Sequence, residues 1–178
     1  TRAQEPLARH TTLELGGAAE LYAEATSATE IRELLRWANA SGTSVSVLGG
    51  GSNLVVADRG VEGLVVGIRS RGIELRREQG FALLEVEAGE PWPDLVEWSV
   101  AEGLAGLECL AGIPGTAGAT PIQNVGAYGR EVAELLEWVE VLDRRTLELQ
   151  RIPTSRCGFG YRRSRFRERP TEHVVTRV

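Results

Sequence analysis

The chain has 178 residues, 42% of them hydrophobic, and a formal net charge of −5, a globular composition with enough apolar material for one sizeable core or two small ones. It contains no lysine. That excludes a P-loop, whose lysine must reach the β- and γ-phosphates, and any Schiff-base enzyme built on a lysine amine. Cys109 and Cys157 form no metal-type pair, and no run approaches the ~20 apolar residues of a membrane span. With no secretory leader in view, the expected setting is the reducing cytoplasm.

The predicted elements follow in chain order. After Gly16-Gly17 the alternating run AELYAEA reads as a strand. Ser27 with Glu30 makes a capping box, and Ile31, Leu34, Leu35 and Ala38 supply the apolar stripe of a helix that ends at Asn39 to Gly42. Val45 to Leu48 is a strand feeding into Gly49-Gly50-Gly51-Ser52-Asn53, and Leu54 to Ala57 is the expected strand leaving that turn. Strands are expected at Leu64–Ile68, Ile73–Arg76 and Ala82–Ala88. A second helix starts near Pro93, buries Leu95, Val96, Trp98 and Val100, and is capped by Gly103. Glu137 to Leu142 and Thr146 to Ile152 form a hairpin, and His173 to Val178 is the last strand. Strands outnumber helices and hairpin signals recur, so the predicted class is α+β, with a first αβ lobe at 1–67 and a second at 68–178.

Two glycine clusters stand out. Leu110 to Gly129 reads LAGIPGTAGATPIQNVGAYG, in which glycines 112, 115, 118, 126 and 129 allow positive φ and close backbone approach. Its small residues suggest a path of main-chain N–H groups suited to a phosphate-rich ligand, with Ile113, Ile122 and Val125 packed. The alternative is a glycine-rich connector. In LGGGSNL, at 48–54, the amides can face a pyrophosphate while Ser52 and Asn53 donate from their side chains. A strand rather than a helix is expected to follow, which disfavours a Rossmann reading; a plain tight turn is the competing view. CGFGYRRSRFR, at 157–167, alternates, and on a strand it places Arg162 and Ser164 on one face. A positioned arginine matches an anionic substrate; the other reading is a solvated basic strand or a nucleic-acid patch. An acidic chain without further basic clusters argues against nucleic acid. His10 and His173 lie near the chain ends and Cys109 reads as a buried thiol. No Ser-His-Asp or metal set can be assembled.

LGGGSNLVVAD at 48–58, GLECLAGIPGTAGATPIQNVGAYGREV at 106–132 and YRRSRF at 161–166, with HTTLELGGAAE near the start, resemble the UDP-N-acetylenolpyruvoylglucosamine reductase (UDP-N-acetylmuramate dehydrogenase) family. The resemblance spans essentially the whole chain, in order and spacing. It implies a flavin fold of the vanillyl-alcohol-oxidase type with FAD between two αβ lobes. Gly49, Gly50, Gly51, Ser52, Asn53 and Leu54 would wrap the pyrophosphate. Ile113, Gly115, Thr116, Gly118, Ala119, Asn124, Gly126 and Ala127 would line the rest of the cofactor. The family usually shows Gly-Gly where this chain has Gly118-Ala119, so a methyl group must fit there.

The resemblance further implies that NADPH reduces the flavin, which passes the hydride to the enolpyruvyl ether of a UDP-sugar in peptidoglycan precursor synthesis. Arg162 falls on the catalytic arginine that holds the substrate carboxylate and the developing enolate; Tyr161 would shape the pocket and Gln123 would make a polar contact near the flavin and substrate. The family chain continues into a third, substrate-binding domain that supplies a serine proton donor and a glutamate. Neither lies in these 178 residues, so the chain alone is expected to be an inactive FAD-binding portion, and a monomer. The alternatives are another FAD oxidase or dehydrogenase of this fold, or a non-catalytic FAD-binding module.

Overall fold

The computed structural model describes residues 1–178, and the chain packs as two compact units, Thr1–Ser70 and Arg71–Val178. In the first unit β1 (Arg2–Pro6) is followed by a 3-10 turn, β2 (Ala18–Ala25), α1 (Ala28–Ser41), β3 (Val45–Leu48) and β4 (Val61–Ile68). The sheet order is β1-β2-β4-β3, antiparallel at the β1 edge and parallel elsewhere.

Helix α1 begins where the sequence signalled. Ser27 accepts from the Glu30 amide at 3.2 Å, and Gly42 closes the helix at φ 68°, the left-handed position that suits glycine. The reciprocal half of the box is shifted by one residue, because Glu30 receives Thr26 N at 2.6 Å. Ile31, Leu35 and Ala38 are buried, and the helix packs on β2 and β4. A second layer of side chains, Leu7, Ala19, Tyr22, Leu48 and Val65, with Val56 and Val61 against it, forms a distinct core cluster.

The expected strand at 54–57 does not form. β4 lies beside β3 and parallel to it, so the chain must return from the carboxyl end of β3 to the amino end of β4. Residues 49–60 make that passage as turns and coil, fastened by Gly17 N donating to Ala57 O at 3.0 Å.

The second unit opens with the hairpin β5 (Ile73–Arg77) and β6 (Ala82–Val86), then α2 (Trp92–Ala101). Pro93 lies in its first turn, and Gly103 follows its end at φ 70°. Leu95 and Val96 are buried as expected, together with Trp92 and Ser99; Val100 instead faces outward, 54% exposed. The glycine-rich stretch folds into a 3-10 turn, α3 (Thr120–Gln123), and the tiny hairpin β7 (Gly126–Ala127) and β8 (Arg130–Glu131). The hairpin β9 (Trp138–Asp143) and β10 (Leu149–Pro153), the short α4 (Arg165–Glu168) and β11 (His173–Arg177) complete the unit.

Strand β11 pairs antiparallel with β9. It also meets β6 through Val86 and Val178, which exchange backbone bonds at 2.7 and 2.9 Å, and through Ala88 N donating to Thr176 O at 3.0 Å. The two hairpins are thereby joined into one antiparallel surface, β5-β6-β11-β9-β10. Arg151 lies 3.8 Å over the Trp138 ring, a cation–π contact across paired strands.

Candidate functional site

In the first unit the turn at 49–54 sits at the carboxyl end of β3, where open α/β sheets bind their ligands. Gly51 has φ 69°, and a Cβ there would stand 1.9 Å from His10 O, so only glycine fits. Thr12 N donates to Gly51 O at 3.1 Å, and none of the amides from Gly50 to Leu54 donates to a main-chain carbonyl. Ser52 is half-buried; Gly50, Asn53, Leu54 and the adjoining Val55, 80% exposed, face outward. A tight turn with a run of unengaged N–H groups and little side-chain cover fits a phosphate-bearing group such as the pyrophosphate of FAD.

The stretch at 110–129 is built differently from the open path of amides expected of it. Ala117 N and Gly118 N donate to Glu90 O and Ala88 O at 2.8 and 2.9 Å, while Ala119, Asn124 and Val125 donate to Thr116, Pro121 and Thr120. The segment is clamped to the chain at 88–92, where Trp92 also donates from its backbone to Gly115 O and from Nε1 to Leu110 O, both at 3.0 Å. Gly112, Gly115 and Gly129 do have positive φ; Gly118 and Gly126 do not. Those two are glycine because a Cβ would lie 2.4 Å from Ala88 Cβ and 2.6 Å from Arg130 O. Thr116 and Gly118 are buried, and Ile113, Gly115, Ala119, Gln123, Gly126 and Ala127 are half-buried.

Asn124 is 1% exposed and has φ 44°, a left-handed conformation that asparagine tolerates better than most residues. Its Nδ2 donates to Glu131 at 2.7 Å and to Gly160 O at 3.0 Å, and Oδ1 accepts from Ala133 N at 3.1 Å. The side chain is therefore fully engaged inside the unit, and the backbone N–H is spent on Pro121 O at 3.4 Å.

Arg162 and Ser164 do not share a strand face. Gly160 and Arg163 exchange both backbone bonds around a two-residue turn whose second residue, Arg162, has φ 53°. That position is normally given to glycine or asparagine. Ser164 is wholly buried; it caps α4 by accepting from Arg167 N and donates to Ile122 O at 2.6 Å. Alternation failed here because a turn and a helix cap interrupt the period.

The turn displays Tyr161, 87% exposed, and the exposed Arg162. Arg162 Nη2 reaches Gly126 O at 3.4 Å. With Asn124 to Gly160 and Ser164 to Ile122, three contacts seat the turn on the 122–126 segment and set the Arg162 guanidinium against Gly126. A neighbouring turn, Tyr128-Gly129, has positive φ at both residues and exposes Tyr128, as a type I′ hairpin requires.

Several residues next to the 49–54 turn carry no motif that sequence reading could find. Arg69 Nη1 donates to Gly49 O and Ile68 O, both at 3.0 Å, and Nη2 to the Tyr22 hydroxyl at 3.3 Å. Tyr22 is fully buried and stacks on His10 at 4.4 Å between centroids; burial raises its pKa. His10 in turn contacts Glu5 at 2.9 Å. Of the cysteines, Cys109 is half-buried, against expectation, and Cys157 is the buried one, its pKa pushed up to about 11 by burial. A cavity of about 800 Å³ in the second unit lies among Leu84, Trp92, Leu95, Leu104, Leu136 and Trp138. None of the sequence-predicted site residues lines it.

The chain is 49% identical over 173 residues to a UDP-N-acetylenolpyruvoylglucosamine reductase of Streptomyces avermitilis, covering 97% of this chain and 46% of that protein. It is 43% identical over 162 residues to the protein of the same name from Pseudomonas fluorescens, covering 90% and 47%. The chain thus spans about half the length of the curated relatives it matches.

Among solved structures it is similar to the UDP-N-acetylenolpyruvylglucosamine reductase of Thermus caldophilus, with a TM-score of 0.80, 33% identity, and 97% of this chain and 58% of that one covered. It shares its α+β fold with 6-hydroxy-D-nicotine oxidase of Arthrobacter nicotinovorans, with a TM-score of 0.65 at 19% identity over 99% and 37% of the two chains. The family model described as "FAD binding domain" matches residues 19–150, most of the chain, and the chain belongs to that family.

Proposed function

We propose that the chain is the FAD-binding portion of a UDP-N-acetylenolpyruvoylglucosamine reductase, with residues 1–67 and 68–178 as its two lobes. Gly49 to Leu54 would hold the cofactor's pyrophosphate. Ile113, Gly115, Thr116, Gly118, Ala119, Asn124, Gly126 and Ala127 would border the rest. When bound, the flavin supplies two-electron chemistry between NADPH and an enolpyruvyl ether.

The chain's own contribution to the substrate is Arg162, the observation that carries the reading. Holding an arginine at φ 53° costs about 1–3 kcal/mol, and three contacts over-determine the turn that does so. A strained turn that projects a guanidinium suits a carboxylate bound from outside, and charge stabilisation of a developing enolate is often the largest catalytic contribution. A module that only stored flavin would have no use for it. Tyr161 and Gln123 would border the same substrate. A serine proton donor and a glutamate would come from the part of the reductase beyond these residues, so the 178-residue chain would bind flavin without turnover.

The test has two parts. The purified chain should show flavin absorbance or take up added FAD. The complete protein should bleach with NADPH and recover on addition of the enolpyruvyl UDP-sugar. Bleaching without recovery would leave a flavin dehydrogenase of another substrate and sink the reductase assignment.

A further inference from the structure

We propose that Arg69 is the positioning residue of the 49–54 turn, fixing which of its amides face a dinucleotide pyrophosphate; this rests on the FAD-binding reading above. A peptide unit is planar and trans, so its C=O and the following N–H point in opposite directions. Arg69 Nη1 holds the Gly49 carbonyl at 3.0 Å, which turns the Gly50 N–H away from the guanidinium. Thr12 N holds the Gly51 carbonyl at 3.1 Å, which turns the Ser52 N–H away in the same manner. Two carbonyls are thus drawn onto the protein and two amides, with one residue between them, are released to an anion. Backbone N–H groups left free in such a turn make the concavity that binds phosphate.

Arg69 can do this because its own place is fixed. It follows directly on β4, donates from Nη1 also to Ile68 O, pairs with Glu24 at 3.8 Å, and meets the buried Tyr22 hydroxyl through Nη2 at 3.3 Å. That hydroxyl occupies space that β4 leaves open at Gly67, where a Cβ would lie 2.5 Å from the oxygen and 3.5 Å from Arg69 Nη2. Gly67 has no positive φ to explain it. Its lack of a side chain is what admits the Tyr22–Arg69 contact.

The experiment uses the isotope-labelled 178-residue chain, with ADP as the pyrophosphate probe and FAD as the full ligand. In the unaltered chain ADP should move the Gly50 and Ser52 amide resonances most. In Arg69→Ala those two shifts should collapse and the FAD dissociation constant should rise about tenfold or more, the usual loss for a hydrogen bond to a charged group. Resonances of α1 and of the second unit should keep their positions. Arg69→Lys should restore part of the affinity, having one donor group where the guanidinium has a fork. Gly67→Ala should weaken FAD binding in the native background and less so with Tyr22→Phe, which removes the atom it strikes.

Failure of the unaltered chain to bind either ligand would overturn the FAD reading and this proposal together. FAD binding with ADP shifts confined to other residues would overturn the proposal alone, as would an Arg69→Ala chain that binds FAD as tightly as the native one. Should Arg69→Ala not fold, Arg69→Lys and Tyr22→Phe decide the matter: native FAD affinity in both would reject the positioning role.

Discussion

Asn124 Nδ2 donates to Gly160 O at 3.0 Å, joining the end of α3 to the turn that carries Arg162. One buried amide thereby aligns two motifs that lie far apart in sequence, and the same side chain holds Glu131 and the Ala133 amide. Asn124→Ala should cost about 1–3 kcal/mol, because buried partners lose their hydrogen bonds, plus about 1 kcal/mol for forcing alanine to φ 44°. Asn124→Gly should show the first loss and not the second. Urea unfolding of both variants separates the two contributions, and faster amide exchange at Ala133 would localise the damage.

On the proposed reading, Arg162→Ala in the complete protein should leave flavin content and reduction by NADPH near native while slowing reoxidation by the enolpyruvyl sugar. A loss of ~10²–10³ is expected for one charge-stabilising donor. Arg162→Lys should recover part of it, since an ammonium lacks the planar fork. Stopped-flow traces of the two half-reactions give the answer; slowed reduction with normal reoxidation would assign the arginine to the wrong step.

The two classes of glycine should respond differently to a single methyl. Gly118→Ala places its Cβ 2.4 Å from Ala88 Cβ, so overpacking should destabilise the second unit by about 1–3 kcal/mol. Gly112→Ala meets no atom within 4 Å and pays only for its φ of 76°, about 1–2 kcal/mol. Adding a bulkier side chain should worsen the first variant and not the second, a contrast that melting temperatures can read.

Glu85 sets an acid limit on the second unit. It is buried on β6 and receives Arg151 Nη2 at 2.8 Å, with Arg76 at 3.3 Å and Arg177 at 3.5 Å. Burial works to raise its pKa, but the Arg151 hydrogen bond and the three positive charges outweigh it, so the folded value lies below 4.5. A depressed folded pKa gives stability that is present above the unfolded value and lost as pH falls through the folded one. Glu85→Gln should therefore lower the melting temperature at neutral pH and flatten its fall as pH drops through and below the ordinary carboxylate range. An unchanged acid limb would remove Glu85 from the account.

Local signals in the sequence are decisive where one residue type has one structural use. Ser27 and Gly42 bound α1, and the hairpin around Asp143 to Arg145 formed as its turn residues required. Period-two alternation misled at 157–167, where Arg162 at positive φ and Ser164 as a helix cap are decided by contacts with 122–126 rather than by neighbours in sequence. Leu54 to Ala57 misled for a topological reason: β4 pairs between β2 and β3, and no local pattern announces that order. Glycine itself is ambiguous. Gly51 serves a turn, Gly118 a close contact and Gly67 the room for a tyrosine hydroxyl, and only the packing tells them apart. Arg69, Tyr22 and His10 were invisible for the same reason, being joined from separate elements.

The place of β11 in its sheet has a consequence for how the chain reaches its native state. This strand lies between β6 and β9, so it closes pairings such as Glu87 with Arg177 that span 90 positions. Ordering so long an intervening segment before any contact rewards it slows assembly. The first unit has no such debt, since its sheet is complete at Ile68. As a chain emerges from the ribosome amino end first, the first unit can settle early. Meanwhile the β5-β6 and β9-β10 hairpins keep open edges facing the gap that residues 173–178 will fill. Exposed strand edges are templates for pairing with other chains, and the interval before β11 arrives is when this protein is most prone to pair wrongly.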